Sequence, residues 1–337
     1  MSKVLKLHGP GDLRYEDHDL PELGPQDVRV RTRLGAISAG TEGAWYFGTD
    51  PQLDPGFKPG RIGRPRFPKL LGYEKLAEVS ALGSDVTSLA VGQRVVGHYG
   101  HAEEFVLPED RLIPVPDGVT DVEAVAYSLS TVTLHGIRRS GLRIGDDVLI
   151  TGQGFIGLMA VKLCRLAGAN RVVVTDPFKM RRGIALELGA DEALDPGACD
   201  VGTTLRDRYG ADLFDVALET SSSFEALHDA MASVRRNGRV CVLSQLKGDY
   251  PAHPMFGLEF HLEELELITA DGRGDVKKLA RWYFHAIQRG AVKGISDLIT
   301  HRVPFSEIES GFELLEREQE SVVKILVTYP GAASRGR

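Results

Sequence analysis

Hydrophobic residues recur at every second position in short runs through the first third of the chain, and at three- and four-residue intervals through much of the rest. The runs "DVRVRT", "LAEVSALG", "QRVVGH" and "AEEFVLPED" are broken by Gly- and Pro-rich turns. They predict short strands curling into a small barrel or sandwich over residues 1–118. Near residue 119 the texture changes. "VLITGQGFIGLMAVKLCRLAGANRVVVTD" reads as an apolar strand, a Gly-rich turn, a helix with one apolar face and a second apolar strand, a βαβ unit of about thirty residues. Helix "KMRRGIALELGA", strand "LFDVALET", helix "SFEALHDAMASV" and strand "GRVCVLSQ" continue the alternation. Strands apolar on both faces imply a parallel sheet covered by helices on both sides. Residues 119–270 are therefore expected to form this α/β unit. Residues 271–337, with "DVKKLARWYFHAIQRG", "LITHRVPF", "SEIESGFELLER" and "VVKILVTY", are expected to pack back onto the first domain.

Chemistry enters at the turn of the βαβ unit. Gly152, Gly154 and Gly157 spell G-x-G-x-x-G after a strand and before a helix, with Phe155 and Ile156 inside the motif. The first glycine permits the tight turn, the second lets backbone approach a pyrophosphate, and the third lets helix and strand pack closely. Asp176 ends the next strand about twenty residues on, where an acid accepts hydrogen bonds from both adenosine ribose hydroxyls and repels a 2′-phosphate. The pattern predicts a Rossmann dinucleotide site that prefers NAD to NADP, with Thr220 after "LFDVALE" as a further cofactor contact. Asp176 also has a purely local reading, as a cap for the next helix, and Lys179, Arg181 and Arg182 are near enough to soften the preference.

Composition narrows the partners. The 337 residues are 42% hydrophobic and 26% charged, enough for two domains with substantial cores. A net charge of −7 with basic residues read as scattered rather than clustered gives no obvious docking face for nucleic acid or an anionic membrane, so a small-molecule partner is expected. The three cysteines, Cys164, Cys199 and Cys241, form no CxxC pair, and the first and last lie in apolar runs that read as core. No run of eighteen apolar residues occurs and "MSKVLKLHGPGDLRYED" turns polar early, so the expected location is the cytoplasm.

With "LGAISAGTE", "FPKLLGYEKLAEV", "VTSLAVGQRVVG", "GQGFIG" and "LITHRVPFSEIESGFELL" taken together, nearly the whole chain resembles the medium-chain dehydrogenase/reductase superfamily. The resemblance implies a chaperonin-10-like β-rich catalytic domain beside the Rossmann domain, with the active site in the cleft between lobes. Zinc-dependent members read G-I-C-G-T-D and G-H-E where this chain has Ala39 in place of the cysteine and Tyr73 in place of the histidine. A third ligand falls near Tyr127 and Ser128, and the four-cysteine loop of the structural zinc is missing. The resemblance therefore implies no metal, and the wording "ISAGTE" is similar to a subgroup related to bacteriochlorophyllide dehydrogenases.

On that resemblance, Thr41 occupies the Ser/Thr position that hydrogen-bonds the substrate oxygen; its other reading is a strand-end hydroxyl satisfied by backbone. Tyr73 is expected to act as a base beside Lys75, to donate to a carbonyl, or simply to fill the metal's space. Glu74 is either a base or a loop anchor, and Glu42, His98 and His101 are further proton acceptors. The relay position three residues past the threonine is Ala44. Trp45, Tyr46 and Phe47 form either a substrate wall or core. The expected activity is NAD-dependent, zinc-independent interconversion of a secondary alcohol and a ketone on a cyclic or sugar-like metabolite, by a homodimer with an edge strand in residues 238–257. An NADPH-dependent quinone or enoyl reductase and a non-catalytic nucleotide-binding protein are the alternatives.

Overall fold

The computed structural model describes residues 2–211, 213–247, 256–272 and 274–331. The chain divides into two compact units, Met1–Ser128 with Ala280–Arg337, and Leu129–Leu279. In chain order the first unit holds strands β1 (Ser2–Gly9), β2 (Asp12–His18), β3 (Asp27–Ile37), β4 (Lys69–Leu70), β5 (Glu74–Leu82), β6 (Arg94–Gly97), β7 (Glu104–Pro108) and β8 (Leu112–Pro114). The second holds β9 (Asp147–Thr151), β10 (Arg171–Thr175), β11 (Glu192–Leu194), β12 (Phe214–Glu219), β13 (Val234–Val242) and β14 (Glu266–Thr269). The chain then returns to the first unit with β15 (His301–Pro304) and β16 (Ile325–Thr328).

In the first unit the long strand β3 is the hub. Its first half alternates buried and partly buried residues, as "DVRVRT" predicts, and its second half is buried almost throughout. It pairs antiparallel with β5, β7 and β16, and β16 carries β15 alongside it in parallel. The register sets Ile325 opposite Ile37 and Gly35 opposite Lys75, which brings the C-terminal strand next to the "AISAGTE" segment. Two apolar clusters hold the unit. One contains Val28, Val30, Ala77, Val79 and Val95; the other joins Leu5, Leu7 and Ile37 to Phe312 and Val327. Each such side chain stabilises the fold by about 1.5–3 kcal/mol through loss of apolar surface to water.

The second unit is one six-stranded parallel sheet in the order β11-β10-β9-β12-β13-β14. Strands β9 and β10 are buried on both faces after their first residue, the reason their sequences are continuously apolar. The strand order reverses between β9 and β12, the switch point outside which open α/β sheets bind ligands. Cys164 and Cys241 lie in the core as their apolar surroundings suggest.

Two expectations change. Thr41, read as a strand-end residue in one alternative, opens the short helix Thr41–Tyr46. Residues 238–242, expected at a sheet edge, lie in β13 between β12 and β14; the outer strand on that side is β14. The rest of that proposed edge falls largely on residues 248–255, outside the described residues. Among the described residues no helix is long and apolar enough to cross a membrane.

Candidate functional site

The cofactor turn follows β9. Gly152 sits at φ +83°, and its amide bonds the Thr175 carbonyl, fastening the turn to the next strand. A Cβ on Gly157 would lie 1.9 Å from the Gly152 carbonyl oxygen, so helix and turn approach as closely as a glycine allows. A Cβ on Gly154 would meet nothing within 4 Å. That open space before the helix Phe155–Ala167 is where the fingerprint needs room for a pyrophosphate. Phe155 is buried and Ile156 partly so, which anchors the first helical turn.

Asp176 takes its local capping role and also braces the glycine turn. Oδ2 accepts from the Gln153 amide at 2.7 Å, tying the acid to the glycine turn, and Oδ1 accepts from the Phe178 amide at 2.8 Å, as a local cap does. The neighbouring cations are otherwise engaged: Arg182 bonds the carbonyls of Asp176 and Pro177 and pairs with Asp195, while Arg181 lies over the Phe178 ring. Thr220 donates to the carbonyls of Thr151 at 2.9 Å and Gly152 at 2.7 Å, so it holds the turn in shape. Beside it Glu219 is buried and accepts from the Ser221 and Ser222 amides and the hydroxyls of Ser221 and Ser244. The residues fit a dinucleotide.

In the first unit the two motifs meet. Tyr73, partly buried just before β5, donates its phenol to Ser38 Oγ at 2.7 Å and lies beside the Thr41 hydroxyl. Burial, reinforced by the negative charge of Glu74, raises the phenol well above its usual range and keeps it neutral. Thr41 is exposed. Three hydroxyls, Ser38, Thr41 and Tyr73, thus share one corner, with His98 edge-on to the Tyr73 ring at 5.8 Å and its Nε2 2.9 Å from Ser128 Oγ. Burial, Arg111 and Lys75 push His98 down to about 4, so it is neutral at physiological pH.

Behind this corner lies a buried ionic layer. Glu42 Oε2 accepts from the Ser38 amide at 2.9 Å, and Oε1 lies 2.9 Å from His101 Nε2. His101 Nδ1 is 2.9 Å from the Tyr329 hydroxyl. Burial and Lys75 push His101 down to about 4. A neutral imidazole then donates from Nε2 to the carboxylate and accepts from Tyr329 at Nδ1. Burial disfavours charge on Glu42, yet His101, Lys75 and the Ser38 amide together hold its carboxyl below the usual range. Lys75, pushed down to about 8 by burial, donates to the Glu74 carbonyl and crowds Gly72 together with the His101 ring. Glu74 forms a buried ion pair with Lys324 of the chain return, while its Oε2 has no hydrogen-bond partner among the described residues.

The remaining candidates fall elsewhere. Ala44 and Trp45 are buried, Trp45 joins the core cluster, and Tyr46 stacks on Phe312 at 4.7 Å while its hydroxyl bonds Glu309. These aromatics pack the helix Ile308–Arg317, the core alternative for "AWYFG". Ser38, Lys324 and Tyr329 were not singled out from the sequence. Lys324 had a signal: a lysine inside the apolar run "VVKILVTY" needs a buried counter-charge.

Comparison with known proteins places the chain. Residues 24–117 match the alcohol dehydrogenase GroES-like domain family and residues 156–284 the zinc-binding dehydrogenase family. The chain is 26% identical to an L-threonine 3-dehydrogenase of Rhizobium etli (strain CIAT 652), covering 94% of this chain and 95% of that one. It is 29% identical to a D-guloside 3-dehydrogenase of Escherichia coli (strain K12), covering 94% and 96%. The crystal structure of 2R,3R-butanediol dehydrogenase from Bacillus subtilis superposes with a TM-score of 0.81 at 25% identity, over 97% of this chain and 99% of that one.

Together these matches support the medium-chain dehydrogenase/reductase superfamily.

Many dehydrogenases of this superfamily hold zinc, which takes three or four nitrogen, sulfur or carboxylate ligands in a tetrahedron. Here Ala39 has no donor, the Tyr73 phenol is neutral and turned to Ser38, and the Glu74 carboxylate is paired with Lys324. Tyr127 is a buried, neutral phenol and Ser128 bonds His98. This donor set does not fit a zinc ion.

Proposed function

We propose that this medium-chain dehydrogenase/reductase is an NAD-dependent, zinc-independent oxidoreductase that interconverts a secondary alcohol and a ketone on a cyclic or sugar-like metabolite. The observation that carries the reading is the corner of three hydroxyls, Ser38, Thr41 and Tyr73, gathered around the place where, by the resemblance, zinc-dependent members keep a histidine ligand (Tyr73 here) and a cysteine ligand (Ala39 here). The names of relatives, which act on a hydroxyamino acid, a guloside and a diol, support an alcohol or polyol as substrate.

Bound NAD supplies the hydride acceptor. Oxidation breaks the carbinol C–H bond, whose electron pair leaves with hydrogen as hydride, and the O–H bond, whose proton must leave oxygen. The neutral Tyr73 phenol donates a hydrogen bond to the developing alkoxide, the role of an oxyanion donor. Thr41, exposed beside the phenol, accepts the substrate hydroxyl proton on Oγ as its own hydroxyl proton passes to water. Without substrate the single phenol proton goes to Ser38 Oγ; with substrate bound it turns to the substrate oxygen while the Ser38 hydroxyl donates to the phenol oxygen and keeps the ring in place, and Glu42, fixed by His101, holds the Ser38 amide. The surroundings of Tyr73 favour the donor role over that of a phenolate base, because Lys75 is turned towards Glu74 and His101.

NAD preference rests on Asp176 together with the engagement of Arg181 and Arg182. A cofactor screen against cyclic and acyclic polyols tests the reading. NADH formation with NAD, slower by about tenfold or more with NADP, is expected, and Asp176→Ala narrows that ratio. Oxidation of NADPH by quinones or enones, without activity on any alcohol, would overturn it.

A further inference from the structure

We propose that residues 57–69 bind a phosphate monoester carried by the substrate, an inference that rests on the dehydrogenase reading and specifies its substrate class. The segment "FKPGRIGRPRFPK" holds five cations, Lys58, Arg61, Arg64, Arg66 and Lys69, and no acid, in a chain whose net charge is −7. Elsewhere many arginines pair with carboxylates: Arg33 and Arg94 with Asp121, Arg171 with Asp147, Arg235 with Asp215 and Arg239 with Asp146. No ion pair involves a cation of this segment among the described residues. Concentrated positive charge left without internal counter-ions is the electrostatic footprint of an anionic ligand.

The segment is also built. Arg64 bonds the carbonyls of Asp54, Pro55 and Phe57 at 3.1, 2.9 and 3.0 Å, closing the loop on itself. Pro59, Pro65 and Pro68 further restrict the backbone, lowering the entropy cost of ordering it around a ligand. Lys58, Arg61 and Arg66 stay exposed.

Its position argues for substrate rather than a remote ligand. The loop leads from the helix that begins at Thr41 to Tyr73, and Lys69 at its end lies 3.0 Å from the ring centroid of Trp45 in that helix. Burial lowers Lys69 to about 8, with only Asp50 opposing, so this cation too lacks a strong internal partner. Guanidinium forks match the oxygens of phosphate, and several cations suit a dianion better than a monoanionic carboxylate.

Calorimetric titration of the full-length chain with NAD present tests the site, using a panel of sugar and polyol monophosphates, their dephosphorylated forms, inorganic phosphate and heparin. At least one monophosphate is expected to bind about tenfold or more tightly than its neutral counterpart, with affinity falling as salt rises. Lys58→Gln/Arg61→Gln/Arg66→Gln, with an unchanged melting temperature as the folding check, is expected to abolish that difference. Equal affinity for phosphorylated and neutral forms, or a preference that survives in the triple variant, overturns the proposal. So does binding of heparin or free phosphate alone, which would assign the patch to a polyanion or an adventitious ion. The dehydrogenase reading fails separately, if NADH forms with neither class of compound while monophosphates still bind.

Discussion

Ser222 stands at φ +71°, a backbone region that favours glycine, and it is held there by its amide bonds to Glu219 and Ser244. A left-handed conformation costs a non-glycine residue about 1 kcal/mol or more. Ser222→Gly is expected to raise the urea midpoint, worth about 0.5–1 kcal/mol, with the denaturant slope unchanged. The glycines of the cofactor turn divide the same way. Gly154→Ala is expected to keep the fold and weaken NAD binding, because its Cβ points into open space, whereas Gly157→Ala drives a methyl into the Gly152 carbonyl and is expected to lose folded protein. Thermal unfolding with and without NAD separates the two. The glycine turn and Asp176 were legible in the sequence because contacts within a βαβ unit are local. The partners of Glu42 and Glu74 were not, since His101 and Lys324 reach them only through strand pairing across the chain.

At the scale of elements, β16 carries Lys324 across β3 to Glu74, which closes the chain return electrostatically as well as by hydrogen bonds. Lys324→Met strands a buried carboxylate, and a loss of about 3–5 kcal/mol is expected in equilibrium unfolding. Adding Glu74→Gln removes that stranded charge and is expected to recover much of the loss. A double variant no more stable than the single one would mean that Lys324 acts through packing alone. Period-two strands and amphipathic helices showed plainly in the sequence because one face of each is buried. The helix Thr41–Tyr46 did not: it spans only six residues, and its buried Glu42 is held by partners distant in sequence. The edge of the second sheet was misplaced for a related reason, since apolar β13 is buried by its pairing with the less apolar β14.

For the whole molecule, the ionic layer fixes a pH dependence. His98 and His101 titrate near 4 in the folded state, against an ordinary value of 6.5, so the unfolded chain binds more protons between these limits. The contribution of these two histidines is fully present above about pH 6.5 and is lost as pH drops towards 4, with His101 alone worth roughly 3 kcal/mol across the window. His101→Gln is expected to flatten urea midpoints measured between pH 7 and 5. A curve as steep as that of the wild type would remove His101 from the account.

In the proposed reaction hydroxyls, rather than a metal, stabilise the reacting oxygen. The most direct test is the rate of NADH formation from an oxidised secondary alcohol before and after exhaustive dialysis against a zinc chelator, with metal content measured on the same sample. An unchanged rate and far less than one zinc per chain are expected; one zinc per chain, with activity lost on chelation and restored by zinc, would overturn the metal-free reading.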